Sequence, residues 1–220
     1  MSTTVSPAER RLLIVEDEPL MSSLLAQVLE ANGFVVETAA DVLEARAAVR
    51  TFDPDGVLLD ISLGDGPSGL DLAHVLAKQR PDIALIFLTK HPDPRTAGIE
   101  SGDLPPDCGF LRKDRVRDTE YLLQSIDAVM TDRPRDARHD LDPAKPLGGL
   151  SAKHVEVLRL MATGYTNDYI AKTKGASLST VERWTAEIFK ELGIDTKGIV
   201  NPRVEAVRQF ISAAGIPDRL

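Results

Sequence analysis

At 220 residues the chain exceeds the ~100–150 typical of one domain, so two domains are expected, and with 43% apolar residues each can bury a core. The single cysteine, Cys108, excludes an internal disulfide. No apolar stretch approaches the ~20 residues that span a bilayer, and Met1–Arg10 lacks the apolar core of a signal peptide, so a soluble cytoplasmic protein is expected. The net charge of −8 is uneven: twelve Lys and Arg face twenty-three Asp and Glu in residues 1–132, a balance of −11, while 133–149 and 150–220 carry +1 and +2. The back of the chain is too weakly basic for its charge to suggest nucleic acid.

After a tail, residues 1–10, the run Arg11-Leu-Leu-Ile-Val15 leads into Glu16-Asp17. A helix is predicted over Pro19–Asn32, with Leu20, Leu24, Leu25, Val28 and Leu29 on one stripe and Gly33 as its stop. A second, Val42–Phe52, opens on Asp41 and Glu44, a pair resembling a capping box. The apolar run Gly56–Leu59 ends in Asp60, and a third helix runs from about Leu70 to Gln79, before Pro81. Two further apolar runs follow, Ile83–Leu88 ending in Thr89 and Cys108–Arg112 ending in Lys113. Between them His91–Asp107 holds four prolines and two glycines, so at most Pro94–Ser101 forms about two helical turns, and His91 reads as a loop residue. A last helix, about Asp118–Thr131, carries Leu122, Ile126, Val129 and Met130 at helical spacing.

Short buried runs alternating with helices predict a doubly wound parallel sheet, in which ligands gather outside the carboxyl ends of the strands. Glu16, Asp17, Asp60, Thr89 and Lys113 therefore point into one crevice. Clustered carboxylates hold a hard cation, a carboxylate can attack phosphorus, and a hydroxyl and an ammonium can neutralise phosphoryl oxygens, so an aspartyl phosphate is the expected product.

Roughly residues 10–131 resemble the receiver domain of two-component response regulators, a five-stranded flavodoxin-like fold. The resemblance implies that Asp60 accepts a phosphoryl group from a sensor histidine kinase and that Asp17, Asp60 and the backbone carbonyl of Ser62 bind Mg²⁺. It also implies that Glu16 acts through water, that Thr89 and Lys113 contact the phosphoryl group, and that Phe110 buries when the site is occupied. Lys90, where receivers carry a small residue, is expected to shield the phosphoryl group from water. In receivers the segment 91–107 belongs to the output face; here it reads either as a surface loop that has lost its helix or as an altered output face.

Arg133–Gly149, with three prolines, two glycines and no apolar periodicity, is expected to be a linker. Beyond it, Ser151 caps a helix that stops at Gly164, a short helix spans about Thr166–Thr173, a turn passes through Gly175, and a third helix runs over Ser179–Leu192. This is a helix-turn-helix pattern. Glu156-Val157-Leu158, Gly164, Thr166-Asn167, Ile170-Ala171, Thr180-Val181, Ile188 and Leu192-Gly193 resemble the DNA-binding domain of the LuxR/NarL/FixJ type, roughly residues 148–214. Together the resemblances place a receiver at 11–132, a linker at 133–149, a helix-turn-helix domain at 150–214 and a tail at 215–220.

By that resemblance Thr180, Glu182, Arg183, Ala186 and Lys190 face DNA, and Val204, Val207, Phe210 and Ile211 on the last helix, Val204–Ala213, form a homodimer. The recognition helix departs from the family. Over Thr180–Leu192 two basic residues face three acids, and acids facing phosphates oppose binding. Trp184, where the family has His, is expected to pack in the core. Lys174 stands where the family has a buried Leu, unless Leu178 fills that place, and Asp195–Pro202 is an insertion. The leading reading is a phosphorylation-controlled transcription factor, not an enzyme of metabolic turnover. The alternative is an adaptor whose helix-turn-helix no longer binds DNA. A haloacid-dehalogenase-type phosphohydrolase is disfavoured because Ser62 stands where that family has its acid.

Overall fold

The strands form where apolar residues are buried on both faces. Leu12–Val15 in β1 (Arg11–Val15), all of β3 (Gly56–Leu59), Leu85–Thr89 in β4 (Ala84–Thr89) and all of β5 (Gly109–Arg112) are buried. This computed structural model describes residues 10–64, 66–99, 103–116, 118–131, 134–142 and 146–217. The fifth strand, β2 (Val35–Ala39), completes a parallel sheet in the order β2-β1-β3-β4-β5. Helices α1 (Pro19–Ala31), α2 (Val42–Phe52), α3 (Gly69–Gln79) and α4 (Thr119–Met130) connect or follow the strands. Leu12, Ile14, Leu58, Ile86 and Leu111 pack with Leu25 and Leu29 of α1 and with Leu122, Ile126 and Val129 of α4. Strand alternation sends Leu13, Val15, Phe87 and Phe110 to the opposite face, where the Phe87 and Phe110 rings lie 6.4 Å apart.

Contacts divide the chain into two compact units, one holding the residues up to Thr89 with Leu104–Arg138, the other Lys90–Asp103 with the residues from His139 onward. The first part of the crossover between β4 and β5, Lys90–Asp103, therefore belongs to the second unit, while Leu104–Cys108 stays with the first. The part from Lys90 is not a surface loop: His91, Asp93, Pro94 and Thr96 are buried around a 3-10 turn, Pro94–Ala97. Asp93 caps that turn by accepting from Thr96 N at 3.2 Å, and Arg95 pairs with Asp93 while its Nη1 donates to the carbonyl of Leu150. A proline-rich segment buries because its own side chains satisfy the turn and because a distant carbonyl receives the guanidinium. Ser101, the expected end of a helix here, lies outside the described residues.

The expected linker is also ordered from Pro134 onward. Pro134–Ala137 forms a 3-10 turn against α4, Ala137 is fully buried, and Arg138 pairs with Phe110 in a parallel bridge beside β5. A second turn follows at His139–Leu141. The fit depends on Gly109, where a Cβ would come within 2.7 Å of Val129 Cγ2 and 3.5 Å of Ala137 Cβ.

In the second unit α5 (Ala152–Ala162), α6 (Asn167–Thr173), α7 (Leu178–Glu191) and α8 (Pro202–Ala214) begin on the caps Ser151, Thr166, Ser177 and Asn201, whose side chains accept from the first helical N–H groups. Val155, Val157, Leu158, Leu160, Ile170, Val181, Ile188 and Phe210 form the core. Lys174 does not replace a buried Leu: it caps α6 and its Nζ lies 2.7 Å from Glu156 Oε2, while Leu178 stays exposed at the start of α7. Among the described residues no helix is long and apolar enough to cross a membrane.

Candidate functional site

The sheet register builds the first site. Val15 pairs with Leu59, so Glu16 and Asp60 each stand one residue beyond a paired strand end, where Asp60 N donates to Val15 O at 3.0 Å and Glu16 N to Ala39 O at 3.0 Å. Thr89 pairs with Arg112, and Lys113 N donates to Thr89 O at 2.8 Å. The Lys113 ammonium reaches across to both acids, 2.7 Å from Glu16 Oε2 and 2.8 Å from Asp60 Oδ2. Oxygens of Glu16, Asp17 and Asp60 lie within 4.8 Å of one another, with Glu16 and Asp60 buried and Asp17 exposed. A hollow of about 490 Å³ opens beside them, lined by Glu16, Asp17, Ser22, Thr38 and Glu44 among others.

The electrostatics favour a cation. Burial pushes the Glu16 carboxyl above its ordinary value, more strongly than the Lys113 ammonium pulls it down. Burial alone would lower Lys113, but the Asp60 and Glu16 carboxylates outweigh it and hold the ammonium above its usual range. The geometry supports an ionised lysine shared by two acids, which leaves the cluster short of positive charge. Glu16 Oε1 is buried with no hydrogen-bond partner among the described residues, the state of an oxygen suited to receive a water or a metal ion. Three carboxylates of this kind fit a hard divalent cation.

The loop after Asp60 is tightly folded. Ser62 N donates to Asp60 Oδ1 at 3.3 Å, and Gly69 N donates to Ile61 O at 2.9 Å. Ser68 and Asp71 form a capping box at the start of α3. A Cβ on Gly69 would lie 1.9 Å from the Asp60 carbonyl oxygen, a backbone atom that cannot move aside. Gly69→Ala is therefore expected to cost about 1–3 kcal/mol of stability in denaturant unfolding and to displace the Asp60 carboxylate.

Of the remaining expected residues, Thr89 is fully buried at the end of β4. Phe110 is already 0% exposed, so the expected passage of its ring from surface to interior has no starting point here: the ring packs toward Phe87, and the segment ending at Arg138 lies along its strand. Lys90 is exposed, makes no ion pair among the described residues, and has its Cδ and Cε beside Gly215.

The second site is the outward face of α7. Glu182, Arg183, Ala186 and Lys190 are exposed, and Thr180 is half-buried with its hydroxyl 2.8 Å from Ser177 Oγ. Val181, Thr185 and Ile188 turn inward, and Trp184 packs partly buried against the core with Lys153 Nζ 4.8 Å from its ring centroid. Glu187, not singled out from the sequence, lies 3.0 Å from His154 Nε2 and 3.9 Å from Arg183 Nε, so one of the acids on this helix is partly offset. On α8, Val204 is exposed and Val207 and Ile211 are half-buried, whereas Phe210 is 1% exposed in the core, which removes it from any dimer face.

Residues 12–101 match the response regulator receiver domain and residues 149–207 match the luxR family of bacterial regulatory proteins. The receiver match ends before β5, within the crossover that carries the 3-10 turn Pro94–Ala97. The photosynthetic apparatus regulatory protein RegA of Cereibacter sphaeroides is 31% identical over 148 residues, 67% of this chain and 73% of that protein. The oxygen regulatory protein NreC of Staphylococcus aureus is 26% identical over 204 residues, 85% of this chain and 93% of that protein. The fold is shared with RcsB in a structure of two RcsB dimers bound to two parallel DNAs, at TM-score 0.56 and 20% identity over 94% of this chain and 99% of that one. It is shared too with RcsB from Salmonella enterica serovar Typhimurium bound to promoter rprA with the phosphomimetic BeF3⁻, at TM-score 0.54 and 22% identity over 93% and 99%.

Proposed function

The chain belongs to the two-component response regulators that join a receiver to a luxR-type domain, and we propose that within this family Asp60 is the phosphoacceptor whose modification controls DNA binding by the helix-turn-helix. The observation that carries the reading is the Lys113 ammonium bridging Glu16 and Asp60 beside the unpartnered Glu16 Oε1.

Asp60 attacks the phosphorus of a phosphohistidine on a sensor kinase: its carboxylate oxygen forms the new P–O bond while the imidazole leaves with the electrons of the P–N bond. Asp17, Asp60 and the Ser62 carbonyl would hold Mg²⁺, with Glu16 acting through water, and the ion would supply charge neutralisation for the transferred group. Lys113 neutralises one phosphoryl oxygen and the Thr89 hydroxyl donates to another. With Phe110 already inside, the response to phosphorylation starts at Thr89, next to the segment Lys90–Asp103 that packs with the second unit. Val204, Val207 and Ile211 serve as the dimer face, and Thr180, Glu182, Arg183, Ala186 and Lys190 as the DNA face.

The match across 149–207 favours DNA binding over the adaptor reading. Glu182 would accept a hydrogen bond from a cytosine amino group, the base-edge donor an acid reads. Glu182→Lys is then expected to tighten nonspecific binding several-fold and to steepen its salt dependence by about one phosphate contact, while relaxing selection at one base position. The measurement is binding of the phosphodonor-treated full chain to fragmented genomic DNA at two salt concentrations. A wild-type chain that retains no fragment at low salt overturns the DNA reading.

A further inference from the structure

The lysine at the centre of the site is set between two oppositely charged neighbours. Arg112 is buried, with a side chain only 4% exposed, yet its guanidinium grips Asp114, whose side chain is 58% exposed. Nε donates to Asp114 Oδ1 at 3.0 Å and Nη2 to Oδ2, a two-pronged bridge that spans Lys113. We propose that Arg112 and Asp114 are positioning residues: their clamp fixes the backbone at Lys113 and so aims its ammonium at Asp60. This rests on the phosphoacceptor reading of Asp60.

The physical argument starts from lysine itself. Its charge sits at the end of a flexible four-carbon stem, so the direction of the Cα–Cβ bond decides where the ammonium is found. Strand β5 ends at Arg112, and from Lys113 onward no ladder fixes the chain. Three backbone bonds partly replace it: Lys113 N to Thr89 O at 2.8 Å, Arg115 N to Arg112 O at 2.9 Å and Val116 N to Arg112 O at 3.2 Å. The clamp adds what these leave free. A planar guanidinium bound to both oxygens of a carboxylate two residues on restricts the dihedral angles between them, and those are the angles that flank Lys113. The guanidinium end is anchored in the interior, so the exposed aspartate is drawn toward a fixed point rather than the reverse. With its backbone held, the Lys113 ammonium stands 2.7 Å from Glu16 Oε2 and 2.8 Å from Asp60 Oδ2.

The test uses the full chain with Mg²⁺ and acetyl phosphate. Misaiming a charge by about 1 Å costs up to ~100-fold, so Asp114→Ala is expected to slow phosphoryl incorporation about 10- to 100-fold at a temperature where the variant remains folded, and Asp114→Glu to recover most of the rate. In a Lys113→Ala background Asp114→Ala should change the rate less than about twofold, because there is no ammonium left to aim. The same slowing in both backgrounds, or none in the wild-type background, overturns the clamp. A wild-type chain that takes up no phosphoryl group would fell the acceptor reading alone. The clamp is then judged by the ¹⁵N resonance of the Lys113 ammonium, assigned by its loss in Lys113→Ala, which should be distinct in the wild type and averaged with the other lysines in Asp114→Ala. An unchanged resonance in that variant overturns it.

Discussion

Asp60→Asn is expected to end phosphoryl incorporation, to below about one-hundredth of the wild-type rate with a small phosphodonor and Mg²⁺, read as loss of the added phosphoryl mass on the intact chain. Asparagine has the same shape, so the loop closed by Gly69 and the bond from Ser62 N can persist, but an amide oxygen carries no charge with which to attack phosphorus. Undiminished labelling of Asp60→Asn would remove the acceptor from this position.

Phe210→Ala is expected to lower the stability of the second unit by about 3–5 kcal/mol, the range for truncating a fully buried aromatic. Phe210 is 1% exposed among Val155, Leu158 and Ile188, and α8 has few other buried anchors, Ala206 and Ala214. Trp184 is the chain's single tryptophan and packs against this core, so its fluorescence follows the second unit in denaturant. Val204→Ala provides the contrast. Val204 is 61% exposed, and its loss should shift stability by no more than about 0.5 kcal/mol while weakening any dimer formed through α8. A Phe210→Ala chain unfolding within about 1 kcal/mol of the wild type would show that α8 is not held by this ring.

The difference between those two residues marks what a sequence conveys. Helical spacing identified the apolar stripe of α8 but not which part of it is covered by the chain itself. Strands β1, β3, β4 and β5 were legible because burial on both faces makes continuous apolar runs. Strand β2 was not among those runs, since as an edge strand it carries Glu37 and Thr38 and only Ala39 is fully buried. Helix α2 has the predicted bounds, Val42–Phe52, because Asp41 caps it locally, accepting from Leu43 N and Glu44 N at 2.8 Å. The acidic cluster was readable for a related reason: strand ends fix where side chains converge. The crossover was not, because its burial depends on Arg95 reaching the carbonyl of Leu150, a partner 55 residues away. Lys174 is a similar case, since its partner, Glu156, is likewise distant in sequence.

The pairing of Arg138 with Phe110 changes where the first unit can be cut. A fragment ended at Asp132 keeps all five strands but loses the turn whose Ala137 is buried beside Gly109, and the outer N–H and C=O groups of β5 then face water. Such an edge is a template for another strand, so that fragment should self-associate where one ended after Arg138 stays monomeric at the same concentration. With β5 covered, strand-to-strand association of this sheet is steered to the opposite margin, β2, where Val35 is exposed.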